Sequence, residues 1–576
     1  MKLKLVPALS VFALNISAAF PTYALTMDLV GRYQTGIYGE AGAEIVDYHQ
    51  NTQSAYVVNG AKNRIDIIKL AHLSTTAIAH PYTANTLTAV QLTLPKEVVT
   101  TDHQSIQLGI ANSLTIHDDW LAIAVGNKVK QENGVVLFYS IKQDQTKFVK
   151  AVQVGALPDM VTFTPDGTKV IVANEGEPTA DYQYDPVGSI GIINLTSNVP
   201  DDVAVLLMFD KFESQKEQLI KQGFKYASPE GHSLSQDIEP EYVTVTDDNR
   251  YAWVSLQENN ALAKVDLKNH NIDGIYPLGL KDFGQVGNGI DASDKDKGIN
   301  IHEWQGVYGL YQPDTIHSYT INGKHYTVTA NEGDSRDWWF QANDKQACLN
   351  AGGKEFDKDD GCLAYSEETR AGKLLLSANN PAKEYMSKKE LGRLKVTTAM
   401  GDEDGDGQYE KIVTFGARSF SIWDEHGQQV FDSGNEFAKV LAERYPEGFN
   451  TDEAENSKDN RSDDKGSEPE ALALGNVNGK TYAFIGLERM GGIMVYDISQ
   501  PKQSKFIDYQ LNRDLSAKFE IDDSTDPVTR KGEYIKAGDL APEGMRFVSA
   551  KESPTNNALL LVANEVSGTV SVYQLK

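Results

Sequence analysis

The segment DEDGDGQYE, residues 402–410, has the oxygen spacing of a calcium-binding loop. Acids stand at its first, third, fifth and ninth positions, where alternating oxygens wrap a hard cation, and a glycine at the sixth position permits the sharp turn. The twelfth position is Val413 rather than glutamate, so the segment is not an EF-hand. The alternative is a solvated acidic turn. The predicted calcium ligands are Asp402, Asp404, Asp406, Gln408 and Glu410.

A repeated pair of carboxylates is the second feature with chemical potential. Five times, a Pro–acid pair opens an apolar stretch that ends in a glutamate 17 to 23 residues later. Internal repetition of this kind indicates a repeat architecture. The Pro–acid pairs are Pro158-Asp159, Pro240-Glu241, Pro313-Asp314, Pro469-Glu470 and Pro542-Glu543. The closing glutamates are Glu175, Glu258, Glu332, Glu488 and Glu565.

Each copy contains two short strand-like runs separated by a turn, and a third strand usually follows. Weaker units of the same form occupy residues 43–70, 113–140 and 394–424. Eight such units predict an all-β chain, a β-propeller of seven blades if one unit is an insertion and of eight otherwise. Consecutive β-sandwich domains are the alternative, although sandwiches do not repeat one motif five times. Residues 27–576 would form this single domain, with residues 27–36 closing the ring as the outer strand of the last blade.

Antiparallel pairing brings the start of the first strand and the end of the second to the same edge of each blade. The ten carboxylates should therefore meet on one face of the disc, near the central channel. The alternative is that each acid caps a turn. Ten like charges repel unless cations compensate them, and Arg336, Arg418 and Arg489 follow similar strand ends. The candidate catalytic residues are Glu175, Glu258, Glu332, Arg336, Arg418, Glu488, Arg489 and Glu565. By the same strand order, the 402–410 loop should lie on the opposite face.

Composition restricts the partners. The chain has 54 Lys and Arg against 81 Asp and Glu, a net charge of −27. This balance argues against nucleic acid and anionic membrane surfaces, and it suits a protein that handles cations. Residues 1–24 have the pattern of a secretory signal peptide, and no later stretch is apolar for long enough to span a membrane. We therefore expect an exported protein, periplasmic or extracellular.

Two polar insertions interrupt the units, at about residues 335–390 and 447–467. The first contains both cysteines, Cys348 and Cys362. In an exported protein they are expected to form a disulfide; a metal site is the alternative, but it lacks nearby histidines.

Common catalytic motifs are absent from the sequence, including GxSxG, HExxH and the P-loop. Any catalysis would have to use carboxylates, arginines and bound metal, a combination that suits phosphoesters.

The repeats resemble a known family. EPEYVTVTDDNRYAWVSLQENNALAKVD, TANEGDSRDW and GDEDGDGQYEKIVTFGARSFSIWD are similar to segments of choice-of-anchor I proteins, as are the repeats near residues 461–497 and 541–574. That family is similar to the mesenchyme-specific cell-surface glycoproteins of biomineralising animals. The resemblance implies a secreted or surface β-propeller, and relatives are often labelled alkaline phosphatase.

Two hypotheses follow. In the first, a secreted calcium-binding propeller presents an acidic face to a mineral, polymer or protein ligand. In the second, the same face belongs to a calcium-dependent phosphoesterase of the alkaline phosphatase type. The enzyme would need a metal ion and arginines within reach of one water molecule. A binding scaffold would need only carboxylates whose hydrogen bonds are satisfied as turn caps.

Overall fold

A computed structural model describes residues 25–101, 103–143, 145–358, 360–525 and 527–576. The predicted signal peptide, residues 1–24, lies outside the described residues. Within them, seven antiparallel sheets with four principal strands each form the blades of a β-propeller. The first strands of successive blades contact one another in chain order, and the last contacts the first, so the ring closes. This confirms the predicted all-β propeller.

The strands of blades 1 to 4 follow the chain without interruption. Blade 1 is Val46–His49, Ser54–Asn59, Arg64–Lys69 and Ala89–Thr93; blade 2 is Ser105–His117, Trp120–Asn127, Asn133–Lys142 and Gln145–Ala156. Blade 3 is Pro158–Phe163, Lys169–Asn174, Ser189–Thr196 and Val205–Met208; blade 4 is Val243–Val245, Tyr251–Leu256, Ala261–Asp266 and Asn271–Pro277.

Blades 5 to 7 complete the ring. Blade 5 is Ile316–Ile321, Lys324–Asn331, Ser419–Asp424 and Gln429–Asp432; blade 6 is Pro469–Val477, Lys480–Leu487, Ile493–Asp497 and Lys505–Gln510. Blade 7 is Pro542–Val548, Ala558–Asn564, Thr569–Leu575 and, from the other end of the chain, Met27–Gln34.

The ring is closed by the first strand of the chain. Met27–Gln34 pairs antiparallel with Thr569–Leu575, as predicted for this segment. Arg32 in this strand is fully buried, and its Nε lies 2.7 Å from Asp539 Oδ1. Its other nitrogens donate to the carbonyl oxygens of Ala84 and Gly538. A buried guanidinium with this many partners holds the two ends of the chain together.

The count of seven corrects the possibility of eight. Within the predicted unit 394–424, Lys395–Thr397 pairs with Glu368–Arg370 outside the blades. Ile412–Thr414 runs parallel to Val307–Leu310, also outside the blades. Only Ser419–Asp424 belongs to a blade, as the third strand of blade 5. The unit has the pattern of a hairpin, but its strands take long-range partners instead.

Blade 5 therefore carries a long excursion between its second and third strands, from residue 332 to residue 418. It contains a small sheet of Asp337–Phe340, Gly361–Ser366 and Glu355–Asp357, and the helix Lys345–Asn350. Cys348 and Cys362 are joined by a disulfide within it, as predicted. The predicted insertion 335–390 lies inside this excursion.

Further short elements lie in the connections. The other α-helices are Lys216–Lys221, Leu234–Asp237 and Glu436–Arg444; the 3-10 helices are Gly60–Lys62, Asp210–Gln215, Ala371–Lys373, Pro381–Tyr385, Pro501–Gln503 and Tyr534–Lys536. The remaining strands are Glu97–Val99, Val199–Pro200, Leu280–Asp282, Phe519–Asp522 and Thr529–Gly532.

The core lies between neighbouring blades. Val136 and Phe138 of blade 2, for example, pack with Val170 and Val172 of blade 3, and all four are fully buried. Each blade is covered on both faces, which explains why its strands are apolar at successive positions rather than at alternate ones. This packing holds the strand ends rigidly around the channel.

Candidate metal centre

In three of the five repeats, one backbone hydrogen bond joins the residue before the proline to the closing glutamate. The carbonyl of Leu157, the residue before Pro158, accepts the N–H of Glu175 at 2.9 Å. Blades 6 and 7 make the same bond, from Glu488 to Glu468 at 2.8 Å and from Glu565 to Ala541 at 2.7 Å. The residue before the proline has a positive φ in four copies, a strained conformation for residues other than glycine. These are Leu157 (45°), Gln312 (41°), Glu468 (51°) and Ala541 (55°).

A β-bulge follows the proline and turns the acid toward the channel. The register of blade 3 shifts between Pro158 and Val161, and the first strands of blades 6 and 7 shift at the same place. A bulge inserts one unpaired residue and re-aims its side chain. In blade 7 the extra residue is Glu543, and in blades 3 and 6 the acid is one of two residues that face a single residue of the partner strand. The Pro–acid pair of the repeat therefore places a carboxylate at the channel mouth.

Seven residues occupy this position, one from each blade, and we call them the axial ring. Six are carboxylates, and blade 2 contributes an amide. Most of them line a cavity of about 240 Å³. The axial ring is Glu44, Asn112, Asp159, Glu241, Asp314, Glu470 and Glu543.

The carboxylates of the axial ring lack cationic partners. Among the described residues, no Lys or Arg lies within ion-pair distance of any of the six. One oxygen each of Glu44, Glu241 and Glu470 is buried without a hydrogen-bond partner. Turn capping, the alternative to a functional role, does not account for these oxygens. A buried carboxylate without a partner is costly, and a bound metal ion removes that cost.

Burial and mutual repulsion raise the pKa of every carboxyl group in the axial ring. Burial is the larger cause, and the neighbouring carboxylates add to it. The pKa of Asp159 is raised to about 7, that of Glu543 to about 8 and that of Glu44 to about 9. The pKa values of Glu241, Asp314 and Glu470 are raised well above their ordinary range. At neutral pH the ring therefore holds either protons or a cation.

The closing glutamates form a second, outer ring at the ends of the second strands. Four of the five join groups in which one oxygen from each carboxylate lies within 4.8 Å of the others. The groups are Glu175, Glu239 and Glu258; Asp314, Glu332 and Glu470; and Glu332, Glu468 and Glu488. The fifth, Glu565, belongs to none of these groups, and burial raises the pKa of its carboxyl.

The group of Glu332, Glu468 and Glu488 is compensated by cations from the chain. Lys465 Nζ lies 2.6 Å from Glu332 and 2.9 Å from Glu468. Arg489 contacts Glu468 at 3.0 Å and Glu488 at 3.2 Å. A third cation reaches Glu468, at 2.7 Å, from Arg461. The combined attraction lowers the pKa of Glu468 well below its ordinary range although the carboxyl is buried.

The three arginines predicted from sequence have different roles. Arg489 compensates the group just described, and Arg336 Nη1 lies 2.7 Å from Glu239 Oε1. Arg418 instead donates to the carbonyl oxygens of Asp291, Ser462 and Asp464, and among the described residues it forms no ion pair with a closing glutamate. It follows a strand end, as predicted, but the segment before blade 6 covers it.

The 402–410 loop brings three of its five predicted ligands together. Oxygens of Asp402, Asp404 and Glu410 lie within 4.8 Å of one another, whereas Gln408 Nε2 donates to Asp406 at 2.9 Å. The loop belongs to the blade 5 excursion, which leaves and returns at the acidic face. Because residues 394–424 do not form a blade, strand order does not place the loop on the opposite face, and its position there stays a prediction.

Several residues of the site have weak signals in the sequence. Glu44 and Asn112 hold ring positions without a preceding proline, in units recognisable only as hairpins. Glu239 and Glu468 precede Pro240 and Pro469, so the triplet Glu-Pro-Glu in both copies is a signal that could have identified them. Lys465 and Arg461 come from a polar insertion, where nothing in the sequence indicates their partners.

The family to which the chain belongs can now be stated. The model of the choice-of-anchor I domain matches residues 44–501, well over half of the 576 residues. The chain belongs to the choice-of-anchor I family. The matched span contains the axial-ring residues of blades 1 to 6 and the whole blade 5 excursion. No helix among the described residues is long and apolar enough to cross a membrane.

Two curated proteins are similar to this choice-of-anchor I chain. The mesenchyme-specific cell surface glycoprotein of Strongylocentrotus purpuratus is 29% identical over 290 residues, covering 47% of this chain and 36% of that protein. Gigasin-3a of Magallana gigas is 28% identical over 195 residues, covering 32% of this chain and 65% of that protein. The chain thus matches about a third of the length of the first and just under two thirds of the second.

Solved structures with similar coordinates are distant. Hydrazine synthase of Kuenenia stuttgartiensis has a TM-score of 0.38 at 11% identity, covering 94% of this chain and 96% of that chain. The β-propeller domain of Cps50 (Swd1) from Myceliophteria thermophila has a TM-score of 0.40 at 7% identity, covering 96% and 100%. The WD40 domain of Toxoplasma gondii coronin has a TM-score of 0.40 at 9% identity, covering 96% and 86%.

The raised pKa values predict how stability depends on pH without divalent cations. The folded protein retains protons on Asp159, Glu543 and Glu44 that the unfolded chain releases near pH 4 to 5, so it binds more protons than the unfolded state. The free energy of unfolding should therefore fall as pH rises from about 5 to about 9.

Urea unfolding in chelator across this range measures the effect, and saturating calcium should flatten it. A stability that is constant or rises between these pH values in chelator would contradict the electrostatic description of the ring.

Proposed function

We propose that the protein is a calcium-binding propeller of the cell surface or extracellular space. Its cation-loaded mouth binds an anionic ligand, a mineral surface, an acidic polymer or a phosphoester. Calcium has free coordination positions when protein carboxylates fill only part of its shell of six to eight oxygens. An anionic group of a ligand can occupy those positions, so a mouth that is acidic without the ion becomes a site for anions with it.

One observation carries this proposal. Five of the six axial-ring carboxylates line one cavity, three of the six have an oxygen that is buried without a hydrogen-bond partner, and no Lys or Arg among the described residues reaches any of the six. The arrangement is accompanied by a strained residue before the proline in four copies and by a β-bulge in three blades. Around Glu468, on the same face, the chain supplies its own cations instead.

The compartment is supported by three observations. The chain belongs to the choice-of-anchor I family, one relative is named a cell surface glycoprotein, and Cys348 and Cys362 are disulfide-bonded. Disulfides persist in oxidising environments outside the cytosol. The micromolar to millimolar calcium affinities that are typical of extracellular modules also suit a site of this kind.

The phosphoesterase alternative is less well supported by the positions of the arginines. An enzyme of that type uses arginine to bind the phosphoryl oxygens and stabilise charge in the transition state. Arg336 and Arg489 are already paired with carboxylates, and Arg418 is paired with carbonyl oxygens. We therefore favour ligand binding over hydrolysis.

The ring proposal is tested by the double variant Glu241→Gln, Asp314→Asn. Saturating calcium should stabilise the parent protein by about 2.7 kcal/mol at a hundredfold excess over Kd, because the ion binds only the folded state. The variant should lose most of this stabilisation, measured by urea unfolding with and without calcium. The control is Glu425→Gln, since Glu425 lies in a turn on the opposite face. Equal calcium stabilisation of the variant and the control would overturn the proposal.

The 402–410 loop is proposed as a separate, structural calcium site. Its Asp402 accepts backbone N–H bonds from Gly405 and Gly407, which shape the loop around the carboxylates. Asp404→Ala should reduce the number of calcium ions bound in titration calorimetry by one and leave the ring sites intact. An unchanged number would exclude the loop.

Hydrolysis of p-nitrophenyl phosphate and bis-p-nitrophenyl phosphate separates the two functions. With calcium present, we expect no turnover above that of the Glu241→Gln, Asp314→Asn variant, because no unpaired arginine serves the phosphoryl group. Calcium-dependent turnover by the parent protein that the variant lacks would instead establish the phosphoesterase.

A further inference from the structure

Three carboxylates from blades 3 and 4 form a compact group beside the axial ring. Glu175 and Glu258 end the second strands of their blades, and Glu239 precedes the proline that opens blade 4. One oxygen from each lies within 4.8 Å of the other two. The three residues come from well-ordered positions: two are fixed by strand ends and one by the proline that follows it. We call them the Glu258 group.

An orphaned oxygen marks the group as incomplete. Glu258 is only 6% exposed, and its Oε2 has no hydrogen-bond partner among the described residues. Glu239, which is 1% exposed, uses Oε1 to accept from Arg336. Buried polar atoms in native proteins are almost always partnered by protein, water or an ion, so this oxygen points to a missing ligand.

Charge separates the Glu258 group from the otherwise similar group of Glu332, Glu468 and Glu488. In the latter, Lys465, Arg461 and Arg489 bring three positive charges to three carboxylates, although the two arginines also contact neighbouring acids. In the Glu258 group, Arg336 is the one cation among the described residues within ion-pair distance. Arg336 also lies 3.8 Å from Asp237, so the three carboxylates keep a charge of at least −2, which a divalent cation would offset.

We propose that Glu175, Glu239 and Glu258 bind a second divalent cation, separate from any ion in the axial ring. All the donors are carboxylate oxygens, which favour a hard ion such as calcium over softer metals. Three carboxylates leave several coordination positions for water or a ligand. This site does not require the axial ring to be occupied, so it goes beyond the function proposed above.

The cation would also fasten the blade 5 excursion to blades 3 and 4. Arg336 belongs to the excursion, and besides its bond to Glu239 it donates from Nη2 to the carbonyl of Asp237 at 2.6 Å. Its backbone N–H donates to Glu367, whose carboxylate also contacts the fully buried Lys225. An ion that holds Glu239 in place holds Arg336 in place as well. Calcium should therefore protect the excursion from proteolysis.

The site is tested in the background of the variant Glu241→Gln, Asp314→Asn, Asp404→Ala, in which binding at the axial ring and at the 402–410 loop is removed. In that background, terbium should still bind, and its luminescence should be sensitised by Tyr182, whose hydroxyl lies 3.4 Å from Arg336 Nη1. Adding Glu258→Gln should abolish this signal. Adding Glu488→Gln, a carboxylate at the equivalent strand end in the compensated group, should leave it unchanged. Titration calorimetry with calcium should give the same pattern as a loss of one bound ion.

Folding of the Glu258→Gln protein is expected, since removing one repelling charge stabilises the cation-free state. If it nevertheless unfolds, Glu175→Gln replaces it. Equal signals from the Glu258→Gln and Glu488→Gln proteins would overturn the second site while leaving the ring intact. A ring variant that binds calcium as the parent does, with binding lost only on Glu258→Gln, would overturn the ring and retain this site.

Discussion

Repulsion between like charges is the constraint on which the functional face depends. Antiparallel pairing in every blade brings the first residue of the first strand and the last residue of the second to one edge. A sequence that repeats an acid at both positions therefore has to concentrate those acids around one channel. Burial makes the concentration more costly, because carboxylates that lose water lose the solvent that screens them. The groups of carboxylates on this face differ in how that electrostatic cost is offset.

Two responses are visible side by side. Around Glu468 the chain answers with its own cations, which come from Arg489 in the blade and from Lys465 and Arg461 in the segment before blade 6. In the axial ring and in the Glu258 group the carboxylates outnumber the cations that reach them. The pKa values of the ring carboxyls rise accordingly, whereas that of Glu468 falls. We propose that the groups without enough arginine and lysine bind an external cation.

Much of this organisation could be predicted from the sequence, because it depends on local pattern. The repeat indicated a propeller, strand direction placed the ten carboxylates on one face, and the first strand was assigned to the closing blade. The number of blades was left open, since residues 394–424 have a hairpin pattern but pair with Val307–Leu310 and Glu368–Arg370. The hydrogen-bond partners of Arg418 were not predicted for the same reason: they are carbonyl oxygens brought close by distant segments. Neither this long-range strand pairing nor the partners of Arg418 can be predicted from the local sequence. The same holds for the partners of Lys465.

The central claim, that the axial ring holds a divalent cation, is tested most directly by X-ray diffraction. Crystals grown with manganese as a calcium substitute allow an anomalous difference map to be computed near the manganese absorption edge. The account predicts a peak on the channel axis, within about 2.0–2.6 Å of carboxylate oxygens of the ring. A mouth without a peak at saturating manganese, with Glu241, Asp314 and Glu470 hydrogen-bonded to one another, would contradict it.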